Sequence, residues 1–147
     1  MQWFLLRGGL FIILFFVISS CTPGGKYGEV KSYMNEVLNA YEEYATSIQK
    51  ASKAEDAVTI INRMTKKIEA FMPRYKVLLK KYPEIKKWSI SKHPAELNPE
   101  FDRQKSVSKQ MEEASRKLTK FLKDPKVSIA NKNMEKARAR MGKIGAF

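Results

Sequence analysis

Few side chains in this 147-residue chain are suited to covalent or acid–base chemistry. It has one cysteine, Cys21, and one histidine, His93. A lone thiol can form neither an internal disulfide nor a thiolate metal site. Covalent haem needs two thiols and an adjacent histidine, and di-iron centres in helical bundles draw Glu-x-x-His pairs from facing helices. Neither arrangement occurs. A serine nucleophile needs a base beside it. His93 sits between Lys92 and Pro94 in a stretch without periodicity, and there is no Gly-x-Ser-x-Gly elbow. Glu42-Glu43 and Glu112-Glu113 are adjacent pairs. Adjacent helical positions point about 100° apart, so these read as solvated rims. The expectation is a protein that is not an enzyme, with no catalytic residues, no metal and no diffusible cofactor.

Cys21 closes a segment with its own logic. Arg7 and the amino terminus carry positive charge ahead of Leu10–Ile18, nine apolar residues without a charge. A membrane span takes about 20 such residues, and shorter runs are typical of signal-peptide cores. Arg7, Gly8 and Gly9 separate this run from Trp3–Leu6. Ile18-Ser19-Ser20-Cys21 then places a branched apolar residue and two small ones before the thiol. Here the chain resembles the bacterial lipoprotein signal, whose lipobox reads Leu/Val/Ile, small, small, Cys. The resemblance covers residues 1–21. It implies that Cys21 receives a diacylglyceryl group, that residues 1–20 are removed, and that a covalent lipid at Cys21 is the only attached group. An ordinary secretory signal and an uncleaved anchor are the plainer alternatives. A targeting segment of this kind is set aside from fold reasoning.

The resemblance divides the chain into a signal peptide, residues 1–20, a lipidated tether, 21–28, and a basic helical domain, 29–147. Thr22-Pro-Gly-Gly-Lys-Tyr-Gly28 reads as a flexible linker. Eight residues reach roughly 28 Å at most, so the domain is expected to sit close to the bilayer. Thr22 stands where an aspartate tends to retain Gram-negative lipoproteins at the inner membrane. Its presence points to the periplasmic face of the outer membrane, or to the outer face of the cell membrane where there is only one.

The elements that must position any surface chemistry are helical. Val30, Met34, Val37, Tyr41, Tyr44 and Ile48 recur at spacings of three and four over Glu29–Lys50. Ser52-Lys-Ala-Glu55 has the form of a capping box. It opens the strongest stripe, Ala57, Ile60, Ile61, Met64, Ile68, Phe71, Tyr75, Leu78 and Tyr82. Pro73 inside it predicts a kink or two abutting helices. Ser89–Asn98 reads as a loop. Asn98-Pro99 and Asp124-Pro125 each pair a cap with proline at the first helical position. They open the stripes Phe101, Val107, Met111, Ala114, Leu118, Phe121, Leu122 and Val127, Ala130, Met134, Ala137, Met141, Ile144. Gly142 is a candidate C-cap. The pattern predicts an all-α antiparallel bundle of four helices, or of three with a bent second helix and a peripheral last one.

The net charge is +13. Residues 1–20 contribute one of these charges, Arg7, so the remainder carries +12. Such an excess bears on partners, and export makes anionic lipid, envelope polysaccharide or an acidic protein better candidates than nucleic acid. Two basic features stand out. One is Lys80, Lys81, Lys86, Lys87 with Trp88, tryptophan and lysine being side chains of membrane interfaces. The other is the last helix, where Lys132, Lys136 and Lys143 lie opposite the apolar stripe and Arg138 and Arg140 flank it. The plainer reading of both is a solvated face of the bundle. The functional expectation is a lipid-anchored interaction module whose basic surface meets anionic lipid, polysaccharide or an acidic partner. The alternative is a carrier or sensor with an apolar ligand between its helices, and a cavity would mark it.

Overall fold

A computed structural model describes residues 25–143. Ile18, Ser19, Ser20, Cys21, the first part of the tether and Ile144 lie outside the described residues, as does the side chain of Lys143. Four helices account for most of what is described: α1 Gly28–Lys50, α2 Ala54–Lys81, α3 Asn98–Thr119 and α4 Pro125–Lys143. Two short 3-10 turns, Pro83–Lys87 and Ala95–Leu97, lie between α2 and α3. Among the described residues the one β-type pairing is an isolated bridge between Ser89 and Lys92. The protein is an all-α bundle.

Short turns at 51–53 and 120–124 make α1–α2 and α3–α4 antiparallel. The closest packings join α1 to α2, α1 to α3 and α2 to α4. Contacts from Lys31 to Glu100 and from Glu42 to Arg103 climb both chains together, so α1 and α3 run side by side in one direction. The α2–α3 connection therefore crosses the base of the bundle, and the two other turns lie at its far end. α1 is flanked by two neighbours and is buried on a wide arc. Val30, Met34, Val37, Tyr44 and Ile48 are joined inside by Tyr33, Leu38, Ala40 and Ala45. Tyr33 stacks on Tyr75 at 5.8 Å and meets the edge of Phe71 at 6.0 Å, locking α1 to α2. α4 contributes Val127, Ala130, Met134, Ala137 and Met141 to the core, all buried. It is a full member of the bundle.

Several local expectations are refined. α2 runs unbroken through Pro73. Its start is secured by Asp56, one residue beyond the expected Glu55: the Asp56 carboxylate accepts from the Ser52 and Lys53 backbone N–H groups and the Ser52 hydroxyl. Asp124 caps α4 as expected, accepting from the Lys126 N–H at 2.8 Å. Asn98 does not cap α3; it begins the helix, and its side chain is turned to His93 instead. α3 ends at Thr119, so Phe121 and Leu122 fall in the turn that follows. α4 passes through Gly142 without a cap there.

Candidate functional site

The base of the bundle is where the chain arrives from the tether. Gly25 has φ +79, and a Cβ on it would lie 3.0 Å from Glu96 Oε2, so glycine is required at this close approach. Glu96 accepts from the Tyr27 N–H at 2.9 Å, and the Tyr27 hydroxyl donates to Glu84 at 2.8 Å. The Tyr27 ring meets Trp88 edge-on at 4.9 Å and Tyr82 at 5.5 Å. The expected flexible tether is thus pinned from Gly25 onward. Only Cys21–Gly24 would remain between a lipidated Cys21 and the folded base, roughly 14 Å when extended. Glu84 is held below the usual carboxylate range by its own backbone N–H, the Tyr27 hydroxyl and Lys26.

Around this point the structure gathers most of the first predicted basic cluster. Trp88 is half-buried and, with Tyr82 and buried Ile85, closes the core. Lys81 is engaged: it pairs with Glu29 at 2.6 Å, which raises its pKa, and lies over the Tyr82 ring. Lys80, Lys86 and Lys87 are exposed and meet no described carboxylate. The tight turn bridged by Ser89 and Lys92 adds two residues that the sequence did not single out. These are exposed Lys92 and Ile90, 48 % exposed at the tip. The base therefore presents unpaired lysines around an apolar tip, beside the incoming chain.

The second predicted cluster is less coherent. The apolar stripe of α4 is spent on the core. Arg140 pairs with Glu69 at 3.0 Å. Arg138 pairs with Glu135 at 3.3 Å and lies over the Tyr41 ring at 5.8 Å. Lys132 and Lys136 are exposed on the outer face, and Lys143 is the last residue of the helix. This face also carries an exposed apolar residue, Ile129, 63 % exposed, but α4 starts at the far end of the bundle from the tether.

A third feature is a cleft of about 550 Å³ where α1, α3 and α4 diverge. Its floor is Met34, Val37, Leu38, Met111, Leu118 and Met134. Gln104 fills the gap in the α3 stripe between Phe101 and Val107, and its Oε1 is buried without a partner among the described residues. The Tyr44 hydroxyl is pushed up to about 12, chiefly by burial.

Two polar arrangements escaped the sequence reading. His93 is half-buried, stacked on Phe101 at 3.8 Å, with its ring nitrogens 2.9 Å from the Ser89 carbonyl and 3.0 Å from Asn98 Oδ1. It fastens the crossing loop to α3. Arg103 donates to both carboxylate oxygens of Glu42 and to Asn35 and Asn39. Beside it Glu100, 4 % exposed, accepts from Asn35 at 3.0 Å. Partners drawn from separate helices leave no local spacing to read. Among the described residues no group of His, Cys, Asp and Glu is placed to hold a metal, and no helix is long and apolar enough to cross a membrane. Comparison with known proteins matches no family model, no curated protein and no solved structure.

Proposed function

We infer that this is a lipid-anchored, non-catalytic module of the cell envelope that seats its base on the anionic membrane holding its lipid. The supporting observation is one of placement: the chain arriving from Cys21 packs, through Tyr27, against the same end that carries Lys80, Lys86, Lys87, Lys92 and Ile90. The four residues Cys21–Gly24 reach at most about 14 Å, so that end cannot stray far from the bilayer. A lysine near an anionic surface contributes about 1 kcal/mol, so four supply on the order of 4 kcal/mol at low salt. A Debye length of about 8 Å at physiological ionic strength reduces this. That is enough to orient a tethered domain, whose local concentration is already high.

Two experiments test this. Cys21→Ser should leave the chain unprocessed or free of membranes; a variant still cleaved and still membrane-bound refutes the lipid anchor. Orientation is read from Trp88, the one tryptophan left when residues 1–20 are removed. In vesicles carrying the lipidated protein, iodide should quench Trp88 less on anionic than on neutral lipid. Gln at positions 80, 86, 87 and 92 should abolish the difference. Equal quenching on both lipids would leave the basic base for an acidic protein partner.

A further inference from the structure

We propose that the cleft between α1, α3 and α4 binds a neutral single-chain lipid, of the monoacylglycerol class, with its acyl chain along the floor and its hydroxyl head at Gln104. The shape comes first. The lining on α3 runs from Gln104 to Thr119, fifteen positions, which at 1.5 Å each is about 22 Å. A volume of about 550 Å³ drawn out over that length is a trough. A ligand of this size is within the ordinary range for small-molecule sites, and a long thin one fits this outline better than a compact ring system.

The floor chemistry agrees. Three of its residues are methionines, Met34, Met111 and Met134, one from each helix. Unbranched thioether side chains adapt to a flexible chain that has no fixed shape of its own. The head group is specified by what the trough lacks. Gln104 Oε1 is a buried acceptor with no described donor, an arrangement that costs stability until a donor arrives. A ligand that brings a hydroxyl or an N–H satisfies it. The charged residues of the rim are already matched. Arg138 pairs with Glu135 and Glu112 with Arg116, so the site offers no spare cation to a carboxylate or phosphate. An uncharged hydroxyl head answers both conditions.

The test uses the full chain and a dansyl-labelled fatty acid as reporter, below its aggregation concentration. Emission should rise to saturation at one equivalent. A monoacylglycerol should displace the reporter more effectively than the free fatty acid of the same length. Ser108 and Ser115 line the trough from exposed positions, so Ser108→Trp with Ser115→Trp fills it without entering the core. This variant should keep its helical signal and lose saturable uptake. Gln104→Leu should keep the reporter yet weaken the monoacylglycerol about tenfold, as expected for one lost buried hydrogen bond. Uptake unchanged by the tryptophans overturns the site, and displacement unchanged in Gln104→Leu overturns the head-group assignment. A dimer that the tryptophans dissociate, with no lipid uptake by the parent chain, would make the trough a contact between copies and overturn the proposal as a whole.

Discussion

Arg103 joins α1 to α3 by a two-point grip on Glu42 with Asn35 and Asn39 alongside. The planar guanidinium suits that geometry, and a lysine does not. Arg103→Met should lower the unfolding free energy by about 1 to 2 kcal/mol in urea titrations, and Arg103→Lys should recover less than half of it. The same pair has a pH signature. Glu42 is held below the usual carboxylate range by hydrogen bonds from Arg103, and Glu36 by those from Arg74. Depressed native pKa values mean that the unfolded chain binds more protons between the two values. The contribution is thus complete above about pH 5 and is lost as pH falls through the native values. The melting temperature should be flat down to about pH 5 and drop below it, with a shallower drop in Glu42→Gln. His93 makes a further prediction. Its stack on Phe101 is worth about 1 kcal/mol, and it also holds Ser89 and Asn98. His93→Ala should cost about 1 to 2 kcal/mol in the same titration and speed proteolysis within 89–98, leaving helical content intact.

At the scale of elements, Pro73 is the local rule that the fold overrides. Proline in a helix interior removes one backbone hydrogen bond and crowds the carbonyl four residues back, a cost of about 3 kcal/mol relative to alanine. Yet α2 continues past it, because Ile68 and Tyr75 on either side are 0 % exposed and hold both halves on the core. Packing decides where propensity objects. Pro73 itself is exposed, so Pro73→Ala should raise the melting temperature, with a gain of 1 kcal/mol or more in denaturant titrations. A loss would mean that the fixed φ of the proline contributes more than its missing hydrogen bond costs. The same competition explains what could be read beforehand. The four stripes predicted four helices because each helix keeps an apolar face of period 3.6, and Asp124-Pro125 marked its helix start correctly because a cap is a local event. Asn98 had the same local form, but His93 claims its side chain. Tyr33, off the expected stripe of α1, is buried because α1 has two neighbours. A single stripe describes a helix with one.

Across the whole molecule, acids and bases are not spent alike. Several acids hold neighbouring helices together, as in Lys81 with Glu29, Arg74 with Glu36, Lys67 with Glu43 and Arg140 with Glu69. Others pair within their own helix, as Glu112 and Glu135 do, or secure helix starts, as Asp56 and Asp124 do. Many lysines, including those at the base, are left without an acid. Neither this division nor the trough could be read in order along the chain. Lys92 and Ile90 join Lys80 and Lys86 only when the loop turns back, and Gln104 looks like a weak point in a stripe until α4 is seen to stand away from it. The division fixes the response to salt. Those four interhelical pairs are substantially exposed and worth at most about 1 kcal/mol each, whereas the net +12 carried outside residues 1–20 repels itself in so small a folded bundle. Raising monovalent salt shortens the Debye length from about 30 Å at 0.01 M to about 8 Å at 0.15 M. It weakens long-range repulsion more than contact pairs. The melting temperature at neutral pH should therefore rise with salt over that range. Gln at Lys80, Lys86, Lys87 and Lys92 should raise it at low salt and flatten the dependence. A melting temperature that falls with salt would mean that the interhelical pairs outweigh the repulsion, and the lysine excess would then cost the fold nothing.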